Sequence, residues 1–171
     1  HTRLQGDWSS DVCSSDLLTV LRDGAAVGQG TTSVASVVPG LFAANANGQG
    51  VAAAVILRVK ADGTQSFESL AQYNSSTSRF DAVSIDLGAS TDQVYLIAYG
   101  TGLRNRSALS AVTASLGGTS AQVAYAGAQG SLTGLDQLNI AIPRSLAGRG
   151  SIDVALSVDG KAANTVTISI K

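Results

Sequence analysis

The chain has 171 residues, 44% of them apolar and only 13% charged, with a formal net charge of −1 at neutral pH. That length can bury a core as one or two small domains, and so sparse and balanced a charge excludes a nucleic-acid surface, which needs Lys and Arg clustered against phosphates. The longest apolar run, Val51 to Leu57, is broken at Arg58 and falls far short of the roughly 20 residues that span a bilayer, so no membrane span is predicted.

Residues 1–17, HTRLQGDWSSDVCSSDL, share neither the composition nor the periodicity of residues 18–171. Back-translated, they reproduce an indexed sequencing-library adapter up to the partial codon of Leu17, and we expect them to be foreign to the native protein. A segment never selected for a fold is expected to pack poorly. His1, Trp8 and Cys13, the single histidine, tryptophan and cysteine, drop out of the chemistry with it.

From Leu18 onward the dominant signal is period-two alternation, which marks strands with one buried and one wet face. LTVLRDGAAVGQGTTSVA, Leu18 to Ala35, reads as strand, Asp-Gly turn and strand, and VALSVDGKAANTVTI, Val154 to Ile168, repeats that plan. Asp-Gly pairs tolerate the positive φ of tight hairpin turns. Residues 18–40 are therefore expected to be the closing hairpin of a preceding, truncated sandwich, ending at Pro39-Gly40. Residues 41–91 read as a connecting β-hairpin segment. It has a loop at Asn45 to Gly50 and strands at Val51 to Val59, Ser66 to Tyr73 and Phe80 to Leu87 around the Asp62-Gly63 turn.

Residues 92–171 read as an immunoglobulin-like domain. Val94 to Tyr99 is a continuous apolar run, as in a strand buried on both faces. Alternating strands come after it at Val112 to Leu116, Leu138 to Ile142, Ile152 to Val158 and Val166 to Ile170, with a less regular one at Ala121 to Tyr125. Gly117-Gly118 and Asp159-Gly160 supply turns, and the one short helical turn is placed at Arg144 to Ala147, after Pro143. The predicted fold class is all-β: an immunoglobulin-like antiparallel β-sandwich with an additional N-terminal β-hairpin region.

Three segments carry a family resemblance: VVPGLFAANANGQGVAAA (Val37 to Ala54), YGTGLRNRS (Tyr99 to Ser107) and LDQLNIAIPRSLAGRGSIDVALSVDGKAANTV (Leu135 to Val166). Together they resemble the uncharacterised Solibacter-type C-terminal domain of large secreted acidobacterial proteins. The GTGL turn and the closing strand pair are similar, more weakly, to IPT/TIG domains. The resemblance implies an appendage on an exported, multidomain bacterial protein, at the cell surface or outside the cell, whose first partners are the other domains of its own chain.

With His1 and Cys13 set aside, serine or cysteine triads and the usual zinc, copper and haem ligand sets have no histidine or cysteine to draw on. Asp86, Asp92, Asp136, Asp153 and Asp159 stand singly, with no calcium-loop pattern. The Gly-x-Gly pairs never continue into a phosphate loop. No enzymatic activity, metal or cofactor is predicted. The function expected is a non-catalytic module for spacing, docking or sorting, with a carbohydrate-binding accessory domain as the alternative and a cell-envelope component or polysaccharide as the further partner. Tyr95, Tyr99 and Tyr125 are expected in the core; exposed and coplanar, they would favour sugar binding. Loop parity places residues 100–109 and 127–134 at the same end as Asp159-Gly160. That end would gather the candidate ligand-binding residues Arg104, Arg106, Gln129 and Lys161, although Arg104 is more readily read as bracing the GTGL turn.

Overall fold

A computed structural model describes residues 2–6 and 16–171, with side chains from Leu17 onward. The chain forms two compact units, residues 1–36 and 37–171.

The first unit is a three-stranded antiparallel sheet ordered β1–β2–β3, from Thr2–Gly6 (β1), Asp16–Arg22 (β2) and Ala25–Thr32 (β3). Asp23 and Gly24, at φ 50° and 83°, make the tight β2–β3 turn that Asp-Gly predicts. Of residues 1–17, expected to pack poorly, Thr2–Gly6 pairs along the backbone with β2, from Thr2↔Arg22 to Gly6↔Leu18. The physical reason is that an open strand edge offers its backbone groups to any extended segment, whatever its side chains. The rest of that expectation, at residues 1 and 7–15, lies outside the described residues.

The second unit is a sandwich of two sheets. Its strands are Gly40–Leu41 (β4), Ala54–Val59 (β5), Gln65–Ser69 (β6), Ala71–Asn74 (β7), Arg79–Ala82 (β8), Ser84–Ile85 (β9), Gln93–Thr101 (β10), Val112–Leu116 (β11), Thr119–Ala121 (β12), Val123–Ala128 (β13), Asp136–Ala141 (β14), Gly150–Val158 (β15), Lys161–Ala162 (β16) and Val166–Ile170 (β17). Sheet I runs β13–β14–β10–β5–β6, with β4 against β10. Sheet II runs β12–β11–β15–β17–β9, with β16 against β15. All strand pairs are antiparallel except β9 with β17. A separate β7–β8 hairpin completes the unit. The fold is thus all-β, an immunoglobulin-like antiparallel β-sandwich preceded by the β2–β3 hairpin region, and the only helical elements among the described residues are 3-10 turns at Leu109–Ala111 and Arg144–Leu146.

Alternation explains the core. Leu96, Ala98, Leu138, Ile140 and Ile56 project inward from sheet I and meet Leu116, Val154, Leu156, Val158, Val166, Ile168 and Ile170 from sheet II. Each large apolar side chain removed from water in this way contributes about 1.5–3 kcal/mol.

Two expectations need correction. Residues 41–91 are not a connecting segment: β5 lies between β10 and β6 in sheet I, β9 closes sheet II, and Leu41, Ile56, Leu70, Ile85 and Leu87 belong to the same core as residues 92–171. Alternation marks which face of a strand is buried but carries no information about which distant strand it joins. The expected strand at Ala121 to Tyr125 is split between β12 in sheet II and β13 in sheet I, and the chain crosses at Gln122, whose carbonyl accepts from Ala141 N at 2.9 Å.

Candidate binding surfaces

The strand directions bring the turn 101–108, the loop 129–135 and the Asp159-Gly160 turn to one end of the sandwich. Thr101 Oγ1 donates to Gly134 O at 3.3 Å, and Ser107 N donates to Asp159 Oδ2 at 3.0 Å. The Ser107 hydroxyl and then its N–H hold the Asp159 carboxyl below the ordinary aspartate range, with Lys161 and Arg106 adding smaller attractions.

The four candidate residues sit at this end in different roles. Arg104 Nε reaches Asp136 Oδ1 at 2.8 Å and its Nη2 reaches Leu135 O at 3.1 Å, while Asp136 Oδ2 accepts Leu103 N at 2.8 Å. Asp136 is fully buried, so Arg104 compensates its charge and ties the GTGL turn to the start of β14. Lys161 Nζ donates to Val37 O at 3.0 Å, and Gln129 Oε1 caps Ser131 N at 2.9 Å. Arg106 differs: its Nε is buried without an acceptor among the described residues, a state that costs about 1–3 kcal/mol.

Arg106 leads to a surface that chain order conceals. A Cβ at Gly127 would stand 3.1 Å from Tyr125 Oη, 3.4 Å from its Cζ and 3.4 Å from Arg106 Nη1. The tyrosine ring and the guanidinium therefore both lie down over Gly127, on the outward face of sheet I. Along that face the register aligns Phe67, Leu57, Tyr95 and Ala141 in one row, Ser69, Val55, Ile97, Asn139 and Tyr125 in the next, and Tyr99, Gln137 and Gly127 in a third. None of the outward positions on these five strands carries a charge.

The core expectation for the tyrosines fails here. Tyr95 and Tyr99 are half-buried and Tyr125 is 38% exposed, and none belongs to the core cluster. Inward positions on β10 are the even-numbered Val94, Leu96 and Ala98, so period two sends both of its tyrosines outward. Tyr95 Oη bonds Gln93 Oε1 at 2.8 Å and Tyr125 Oη donates to Ala128 O at 2.6 Å, so each ring is drawn along its strand. Gln137 Nε2 donates to Asn139 Oδ1 at 2.8 Å beside them. Phe67, 69% exposed, stands on edge strand β6. Residue type alone did not single out Phe67, Gln137 or Asn139; the outward period of each strand was the available signal.

Sheet II contrasts with this. Its outward face carries Thr113, Ser115, Ser151, Asp153, Ala155, Ser157, Thr167 and Ser169, short side chains of an ordinary solvated sheet. A further concave surface flanks the β7–β8 hairpin. Tyr73 and Phe80 meet edge to face with centroids 5.4 Å apart, and the Asn45 side chain bonds both the N–H and the carbonyl of Phe80, at 2.8 and 2.9 Å. Beside them Gln72, Asn74 and Asp81 line a cleft of about 390 Å³.

Among the described residues, no three acidic, histidine or cysteine side chains gather in a metal-binding group, and no helix is long and apolar enough to cross a membrane. No protein-family model, no curated protein and no solved structure matches this chain.

Proposed function

We propose that this chain is a non-catalytic β-sandwich module of a secreted or cell-surface bacterial protein, and that it docks through the outward face of sheet I. The observation that carries the reading is the contrast between the two outward faces. Sheet I presents Phe67, Val55, Leu57, Tyr95, Tyr99 and Tyr125 on strands without one outward charge, whereas sheet II presents small hydroxyls with Ala155 and the charged Asp153. Contiguous apolar surface of that kind marks an interaction site, because water gains nothing by covering it. The Solibacter-type resemblance supports export and a place beside other domains of a longer chain.

The test is retention on isolated bacterial cell envelopes. Val55→Lys with Phe67→Lys should abolish retention, while Thr113→Lys with Ser157→Lys on sheet II should leave it intact, all four substitutions being at outward-facing positions and checked by melting temperature. Retention that survives the first pair, or is lost equally with the second, overturns the reading.

A further inference from the structure

The geometry points to a neutral polysaccharide as the occupant of the outward face of sheet I, gripped at a subsite made by Tyr125, Arg106, Gln137 and Asn139. This inference rests on the docking reading above and names its ligand.

Three features of the subsite select for a sugar. Tyr125 lies close over Gly127, where a Cβ would stand 3.1 Å from its hydroxyl, and that hydroxyl is tied to Ala128 O. The ring is thereby held down on the sheet and is 38% exposed, as a platform for the C–H face of a pyranose should be. The Gln137 and Asn139 carboxamides stand on the neighbouring strand, opposite Gly127 and Tyr125 in the ladder. A carboxamide offers donors and an acceptor together, which suits a hydroxyl that does both. The third feature is the Arg106 guanidinium, whose Nη1 lies beside the Tyr125 ring over Gly127 and brings donors to the edge of the platform, where a sugar hydroxyl or ring oxygen can accept.

Charge argues for a neutral chain. Arg106 is the charged side chain that reaches this face, and Asp159 attracts it from the adjoining turn. The remaining outward positions of the sheet are uncharged, so a uronate polymer would find little to balance its carboxylates along the row that continues through Tyr95 and Leu57 to Phe67. Strands lie roughly 4.8 Å apart, so the row from Phe67 through Leu57 and Tyr95 to Ala141 crosses four strands, a length suited to several consecutive sugar units. A protein partner would favour a more apolar centre than one carrying Gln93, Gln137 and Asn139 beside its rings.

The experiment is affinity electrophoresis of the full chain through gels holding soluble neutral polysaccharides (mixed-linkage β-glucan, xyloglucan, galactomannan, amylopectin) or acidic ones (pectate, alginate), with sedimentation velocity in parallel. At least one neutral polymer should retard the protein. Tyr125→Ala and Asn139→Ala should each weaken that binding about tenfold, the loss of one good contact. Tyr125→Phe keeps the ring but loses its tie to Ala128 O, so it should bind between the parent and Tyr125→Ala, and it guards against misfolding of the alanine variant. Retardation by acidic polymers alone overturns the neutral assignment. If no polymer binds while envelope retention still depends on Val55 and Phe67, the glycan inference fails and the docking reading stands. A concentration-dependent dimer abolished by Phe67→Lys, again without polysaccharide binding, assigns the face to a second copy and equally overturns the glycan. Loss of both polymer binding and face-dependent retention removes the two together.

Discussion

Arg104 Nε and Asp136 Oδ1 meet at 2.8 Å, and the carboxylate they share with Leu103 N has no exposure to solvent. The two partners are not equivalent. Arg104 keeps 39% of its side chain exposed against 1% for Asp136, so water can replace the arginine but not the aspartate. Asp136→Ala strands a buried N–H and removes the anchor of the turn, and should cost about 3 kcal/mol in urea unfolding, the upper end for a buried donor left without an acceptor. Arg104→Ala should cost about 1–2 kcal/mol, since the carboxylate keeps the Leu103 N–H. A larger loss for Arg104→Ala than for Asp136→Ala would contradict this ordering.

Acid should loosen turns at both ends of the sandwich. The Asp159 carboxyl is held low by the Ser107 hydroxyl and N–H, Asp62 by the Thr64 N–H, and Asp86 by the Gly88 N–H and then Lys171. A carboxyl whose folded pKa lies below its unfolded value contributes stability that is complete above the unfolded value. It is lost as pH falls through the folded one. Melting temperature should therefore fall as pH drops below the ordinary aspartate range near 3.8. The fall should be shallower in Ser107→Ala, which loses the largest of the effects acting on Asp159. An unchanged acid limb in Ser107→Ala would show that this contact carries no linkage.

Close approach of two backbones at Gly102 gives a third expectation. Gly102 has φ 75°, and a Cβ there would stand 1.9 Å from Val38 O, whereas Gly118, at φ 80°, has open space around it. Both substitutions to alanine carry left-handed strain of about 1–3 kcal/mol. Gly102→Ala adds a collision with main chain that cannot rotate away, and should be the more destabilising by about 2 kcal/mol or more. Equal losses in thermal unfolding would mean that residues 38 and 102 separate easily.

Local chemistry was legible in the sequence, and partnership was not. The Asp23-Gly24, Gly117-Gly118 and Asp159-Gly160 turns all carry paired positive φ, because a two-residue hairpin turn restricts which residues fit. The end shared by Arg104, Arg106 and Lys161 followed from counting strand reversals. GTGL, read as a turn, also proved to be where the chain at Val38 passes against Gly102, and nothing local announces a neighbour so many residues away. The outward tyrosines were misassigned for a related reason: Val94 to Tyr99 is apolar on both faces, so hydropathy could not tell which face met the core. Only the pairing of β10 between β5 and β14 decides that.

The units should also differ in how readily their amides exchange. Every described residue of β3 is exposed, and Val34 just beyond it is 54% exposed, whereas Val166 in β17 is completely buried and belongs to a core drawn from residues 37–170. A small sheet without a buried apolar face is marginal in water, so its hydrogen bonds open locally at little cost, while those of a core strand open only with the global transition. Hydrogen exchange should protect the amides of β3 weakly and those of Ile168 and Ile170 to nearly the full unfolding free energy. Denaturant should shift only the second set. Comparable protection of Val27 and Ile168 would show that residues 18–36 share the stability of the sandwich, and would remove the physical basis for treating the two units as independent.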